Sequence, residues 1–245
     1  MGCVAPCEAS ALAVGFTLTA AAVLDYRYRD VEPALWVASG LALAPVGILC
    51  AARHLDYTSP EAMLAGNVLA IIVALSLYAA GLLGGGDLAA VLLVSIAVPA
   101  WERSLLPPSL LTLLYGSMVS VAQIPYMCAS NLASAQSRRS LRELQREKGV
   151  LAALSACATS LYLTLEEALS RGWLYPSKIE VGGYSIIERE PPELLAPLAA
   201  ERGLQGRVWV TPGMPQVVFI ATGLALAWLL GDAPLRALAE SLART

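Results

Sequence analysis

Asp25 and Asp87 are carboxylates in apolar company. "AAAVLD" closes on the first, and "GLLGGGDLAAVLLV" carries the second in its middle. An ionised carboxylate in such surroundings is costly unless it neutralises, pairs or meets water. Two of them in one low-dielectric site do not both ionise readily and come to share a proton. The ionised member then takes a proton from a water while the protonated member polarises a carbonyl, which hydrolyses a peptide bond without a covalent intermediate. Asp25 and Asp87 are therefore the candidate catalytic residues. Each alone also has a plainer reading, Asp25 as a helix end paired with Arg27 and Asp87 as part of a lone Gly-x-Gly-Asp. Gly84 and Gly86, just before Asp87, are candidate substrate-binding positions, because glycine lets a peptide backbone approach closely. No Gly-Lys-Ser/Thr follows them, so they do not form a phosphate loop.

Other chemistries find little support. The single histidine, His54, argues against a multi-histidine metal site and a Ser-His-Asp triad. The five cysteines form no Cys-x-x-Cys pair. Cys3 and Cys7 read either as small apolar residues near a helix start or, with the N-terminus outside, as a disulfide. No metal ligands and no cofactor are expected, and no basic face suggests nucleic acid.

The elements that must position the aspartates are membrane spans. Of the 245 residues 57% are hydrophobic and 14% charged, with a mean hydropathy of +0.64, against about a quarter charged in soluble domains. Apolar blocks at 9–25, 33–52, 62–83, 88–105, 109–130 and 214–231 give six spans. The fourth is short, so its start at Asp87 is expected below the membrane surface on glycine-rich backbone. The N-terminus lacks a basic n-region, and its apolar stretch reads as a retained first helix. With the N-terminus outside, twelve of the sixteen Lys and Arg fall on the inner side: Arg27, Arg29 and the ten from Arg138 to Arg207. A seventh span would spoil that asymmetry. The first and third spans then run in the same direction, which brings Asp25 and Asp87 to the cytoplasmic face.

The expected organisation is an all-α polytopic membrane protein of six transmembrane helices, with a small α+β cytoplasmic subdomain inserted before the last helix. Residues 1–130 form a membrane domain with helices 1–5, 131–213 the subdomain, and 214–245 helix 6 and the C-terminal tail. Within the subdomain "SRRSLRELQREKG" predicts a basic amphipathic helix with Leu141 and Leu144 on one face. "KIEVGGYSIIER" predicts a hairpin, 193–202 a helix and "RVWV" a strand. Residues 150–165 read as an interfacial or subdomain helix.

The motifs resemble those of the archaeal preflagellin and prepilin peptidases, membrane aspartyl proteases of the Gly-x-Gly-Asp type. Asp25-Tyr26-Arg27-Tyr28-Arg29-Asp30-Val31-Glu32-Pro33 is similar to that family's first motif, and Gly84-Gly85-Gly86-Asp87 to its second. "RVWVTPGMPQVVFIATGLALAWLLGD" resembles its last segment. Leu88-Ala89-Ala90 stand where members often carry a lysine, and the bacterial enzymes' cysteine-rich insert has no counterpart, so no N-methylation is expected. The resemblance implies removal of the short basic class III signal peptide of preflagellins and prepilins at the cytoplasmic membrane face. Asp30 and Glu32 are candidate substrate-binding residues that would attract the basic leader. They also read as ordinary loop acids paired with Arg27 or Arg29.

Two other functions compete. Presenilin-type and signal-peptide-peptidase-type proteases place Pro-Ala-Leu after the second aspartate, whereas here Pro33-Ala34-Leu35 precedes it. A small proton-coupled transporter would carry internal repeats or broken mid-span helices, and neither is evident.

Overall fold

The computed structural model describes residues 6–28, 31–54, 60–80, 83–101, 104, 106–170, 174–176, 207–212 and 216–243. Asp30, the expected hairpin at 178–189 and the expected helix at 193–202 lie outside them. The chain divides into two compact units, residues 1–120 with 215–245, and residues 121–214.

The first unit is helical. Helices α1 (Pro6–Tyr28), α2 (Pro33–His54), α3 (Pro60–Ala79) and α5 (Pro108–Ala133) are each long and apolar enough to cross a membrane. All four begin at a proline, whose missing N–H falls where a helix has no internal acceptor for it. Their outer faces carry an apolar belt, Val37, Leu41 and Ile48 on α2 and Leu64, Leu69 and Ile72 on α3, all exposed as lipid-facing residues would be. Between α3 and α5 stands α4 (Gly85–Ala97), whose 13 residues span only about 20 Å.

This short helix is the centre of the unit. Ala90, Val91, Leu93, Val94 and Ala97 are buried and join Val14, Leu18 and Ala21 of α1, Ala70 and Ala74 of α3, and Val217, Ile220 and Leu224 from the last span. The fourth block does not run on to 105, because helical backbone stops at Ala97 and Pro99 follows. The carbonyls freed there are satisfied from neighbours, as an apolar environment requires. Asn67 donates to the Pro99 carbonyl at 2.8 Å and accepts from Ser109 Oγ at 2.8 Å, and Ser10 donates to the Ala97 carbonyl.

Two further corrections concern this unit. The third helix ends at Ala79 rather than at 83. Cys7 is bonded to Cys50, across 43 residues, not to Cys3; no local spacing signals a bridge between the start of one helix and the end of the next.

In the second unit α6 (Ala135–Lys148) buries Leu141 and Leu144 as its periodicity predicts. The stretch 150–165 splits into α7 (Val150–Thr159) and strand β1 (Leu161–Thr164), followed by the short α8 (Leu165–Ser170). β1 pairs antiparallel with β3 (Arg207–Pro212), and β2 (Leu174–Pro176) pairs with the other edge of β3. The expected strand "RVWV" thus sits centrally in a three-stranded sheet, order β1-β3-β2. Alternation along β3 gives each face a core: Trp209 packs with Leu141, Leu144 and Cys157, and Val208 and Val210 pack with Ala168. Tyr162 stands opposite Trp209 with ring centroids 5.0 Å apart, which explains why 161–164 leave the helix for the sheet. Buried Asn131 donates to the carbonyls of Cys157 and Ser160 and accepts from Ser137 Oγ, tying α5, α6 and α7 together.

The chain then returns to the first unit as α9 (Gln216–Leu230) and, after a 71° bend, α10 (Ala233–Ala243). Gly231 makes the bend with φ +56°, a left-handed conformation suited to glycine. Its carbonyl accepts from Tyr115 at 2.7 Å, and Asp232 pairs with Arg236 at 2.7 Å. Counting α9 and α10 as one bent span, five helices rather than six meet the length expected of a span among the described residues; α4 is the one that falls short.

Candidate active site

Asp25 continues a buried stripe. Val14, Leu18 and Ala21 are fully buried at intervals of four and three, and Asp25 follows four residues later, half-buried in the last turn of α1. Asp87 opens the matching stripe on α4, with Val91, Val94 and Val98 at the same intervals behind it. It is 6% exposed. α1 and α4 pack against each other, and Ser10 near the start of α1 donates to the Ala97 carbonyl at the end of α4. The helices therefore run in opposite senses, and both apolar stripes lead to their aspartates at the same end. Asp25 lies close enough to Asp87 to repel it electrostatically.

The backbone before Asp87 has a definite job. Gly84 is the residue before the first turn of α4, in extended conformation, and its N–H donates to Asp87 Oδ2 at 2.7 Å. That contact satisfies an N–H which the helix leaves without an internal partner, and the helix N-terminus favours an acidic side chain there. A side chain on Gly84 would put its Cβ 3.1 Å from the same oxygen. Gly85 has open space around it. The Cβ position of Gly86 points toward Trp36 Nε1 and Val217 Cγ2, each at 4.0 Å.

Trp36 is a residue that sequence reasoning passed over. It lies in the first turn of α2, 9% exposed, and its indole N–H has no partner among the described residues. Leaving such a donor unpaired costs on the order of 1–3 kcal/mol. The only sequence signal was a tryptophan shortly after the Asp25 motif, in a helical turn that reads as lipid-facing.

The remaining predicted residues scatter around this centre. The Glu32 side chain is exposed, while its carbonyl accepts from Leu35 N–H at 3.0 Å and starts α2. Arg27 is exposed and, with Tyr26, borders an open groove of about 690 Å³ between α1 and α9. Small residues floor that groove: Ala22 on one side, Ala221, Thr222 and Ala225 on the other. Among the described residues no three His, Cys, Asp or Glu side chains are grouped to hold a metal ion.

A helical membrane unit with two carboxylates at one edge, a glycine turn and a groove beside them can be compared with known families. Residues 12–124 match the type IV leader peptidase family. The matched region is just under half of the chain and takes in both aspartates, Trp36 and the glycine turn. What the match supports is a membrane protease of the leader-peptidase type. No curated protein matches it closely enough to count as a relative.

Proposed function

We propose that the protein is an aspartic endopeptidase that removes the short basic class III signal peptide from preflagellins and prepilins at the cytoplasmic membrane face. What supports this is that the buried stripes of α1 and α4 lead at one end of the helical unit to Asp25 and Asp87, near enough for each to feel the other's charge. In the reaction one carboxylate, ionised, removes a proton from the attacking water, and the other, protonated, donates to the scissile carbonyl. Gly84 holds Asp87 at the mouth of α4, and Gly86 leaves the space beside Trp36 clear. The apolar helix that follows the leader in such substrates is seated in the groove between α1 and α9, where small residues permit close helix approach. Glu32, exposed at the same edge, and Asp30 draw the basic leader.

Purified full-length protein in detergent, mixed with a preflagellin or prepilin, tests the reading by the appearance of a product cut between leader and helix. An intact substrate after long incubation with protein of proven fold would overturn it.

Two arguments support the cytoplasmic side. The first is the concentration of Lys and Arg between 138 and 207. It falls on the side of Asp25 because α4, though short, runs from Asp87 to the end of the unit that holds Ser10 and Cys50 and so makes a pass. The second comes from the Cys7–Cys50 bridge, since disulfides persist in oxidising compartments. About eighteen residues of helix, roughly 27 Å, separate Cys7 from Asp25, close to the thickness of a hydrocarbon core. An external bridge therefore puts Asp25 at the inner edge. A cysteine introduced at Glu143 is expected to resist a membrane-impermeant maleimide in intact cells and to react after lysis. Labelling in intact cells would invert the orientation.

The unpaired indole gives a second test. With substrate bound, Trp36 N–H donates to a peptide carbonyl near the scissile bond. Trp36→Phe keeps an aromatic ring but removes the donor, so cleavage efficiency is expected to fall about tenfold, the equivalent of one hydrogen bond of roughly 1.4 kcal/mol. The melting temperature should hold, because among the described residues no hydrogen bond of the free enzyme is lost. A variant that melts early but cleaves at the wild-type rate would make Trp36 a packing residue only.

A further inference from the structure

α6 begins two residues after α5, a helix long enough to span the bilayer, comes to its end. It carries Arg138, Arg139, Arg142, Arg146 and Lys148 against Glu143 and Glu147. Beside it α7 leaves Val150, Leu151 and Leu154 exposed, Leu151 at 83%. Basic side chains next to exposed leucines are the composition of a surface that lies in the headgroup region of a membrane.

The two helices and the end of α5 line an open cavity of about 360 Å³ that combines both chemistries. Arg138 and Arg142 line it together with Leu141, Val150 and Leu154. No carboxylate lines it among the described residues. Glu143 pairs with Arg139 at 3.1 Å and borders a neighbouring cleft that Arg138 and Arg142 also line. Arg138 is held in place by donating to the Leu132 carbonyl, 2.6 Å away in the last turn of α5. The cavity thus has a fixed positive rim beside an apolar wall, at the height where the chain leaves its span. Cys157 also reaches it, but burial, followed by a hydrogen bond with Cys128, pushes that thiol up to about 12. A protonated thiol is neither a metal ligand nor a strong nucleophile at neutral pH, which removes the main alternative use of the site.

We propose that this cavity binds an anionic phospholipid of the membrane, its phosphate on Arg138 and Arg142 and an acyl chain along Leu141, Val150 and Leu154. Guanidinium groups suit phosphate because they offer paired donors in one plane. The exposed leucines of α7 enter the same leaflet. The peptidase reading is not needed for this site; a failed cleavage assay leaves it standing, and the reverse also holds.

The test is native mass spectrometry of the full-length protein in a neutral detergent, titrated with short-chain phosphatidylglycerol, short-chain phosphatidylcholine or inorganic phosphate. One equivalent of phosphatidylglycerol is expected to be retained at least tenfold more strongly than phosphatidylcholine, with inorganic phosphate a poor competitor. Arg138→Gln with Arg142→Gln should lower retention at least tenfold, and Leu154→Gln should weaken phosphatidylglycerol without creating phosphate binding. Equal retention of the two lipids, equal competition by phosphate, or undiminished binding by the double variant would each overturn the proposal. The first two comparisons use the unaltered protein, so they decide the matter even where a variant fails to fold.

Discussion

Asp25→Asn and Asp87→Asn are each expected to reduce cleavage of a preflagellin or prepilin at least about a thousandfold, with the protein still folded and inserted. Asparagine has the shape of aspartate and cannot exchange a proton, so the change isolates the chemistry from the packing. At position 87 that distinction is sharp, because Asp87 also accepts the Gly84 N–H that starts α4. The amide oxygen of an asparagine in its place can accept the same bond, and a small drop in melting temperature is the most the lost charge should cost there. The double variant should be no worse than either single one, since both groups serve one water. Wild-type activity also needs one carboxylate ionised and one protonated, so its rate should rise and then fall with pH, with limbs that belong to the pair rather than to either residue. Chelators should leave it unchanged. Turnover near the wild-type level in either single variant removes the dyad, and loss that tracks unfolding would make Asp87 a helix cap alone.

How far this site could be read in advance depended on what kind of pattern each part left. The aspartates were legible because a charge inside an apolar run violates the composition around it, and a count of passes puts both on one face. Helix α6 was legible from Leu141 and Leu144 at a helical interval among arginines. Trp36 was not, because an indole in an apolar helix fits the pattern whether or not its N–H finds a partner; only the packed structure reveals that it has none among the described residues. The Cys7–Cys50 bridge links the start of one helix to the end of another, and no local spacing encodes that. Residues 161–164 misled for a related reason. "LYLT" continues the apolar run of α7, and its departure into β1 is decided by a strand far along the chain, where Trp209 meets Tyr162. α4 was anticipated as short, but not as the middle of the core, since apolar residues all round a helix leave open which neighbours cover it.

Glycine shows the same limit most clearly, and it yields the second large expected effect. The sequence drew attention to Gly84, Gly85 and Gly86 because they precede an aspartate. The closest backbone contacts lie elsewhere. A Cβ on Gly47 would run into the Ile96 carbonyl and stand 3.0 Å from Ala97 Cα, where α2 crosses α4. A Cβ on Gly223 would strike the Thr112 carbonyl and come within 2.7 Å of Gly116 N, and one on Gly116 would lie 2.9 Å from the Phe219 carbonyl. Helices α5 and α9 therefore meet backbone to backbone through a pair of glycines, the contact that small residues permit in a membrane. Backbone cannot turn aside as a flexible side chain can, so the helices themselves must separate, and α4 is held on both sides of that arrangement. Gly47→Val and Gly223→Val are expected to abolish folded protein, read as loss of the monodisperse peak on size exclusion and of a cooperative melting transition. Gly223→Ala should already lower the melting temperature strongly, through more than the roughly 1–3 kcal/mol typical of overpacking. Gly85→Ala, with open space around it, should melt like the wild type, and Gly84→Ala should retain its fold while losing activity, since its methyl presses on the Asp87 carboxylate. Four glycine positions would then separate along a single physical variable, the space next to each Cα. A Gly223→Ala protein as stable as the wild type would mean that α5 and α9 do not touch as described.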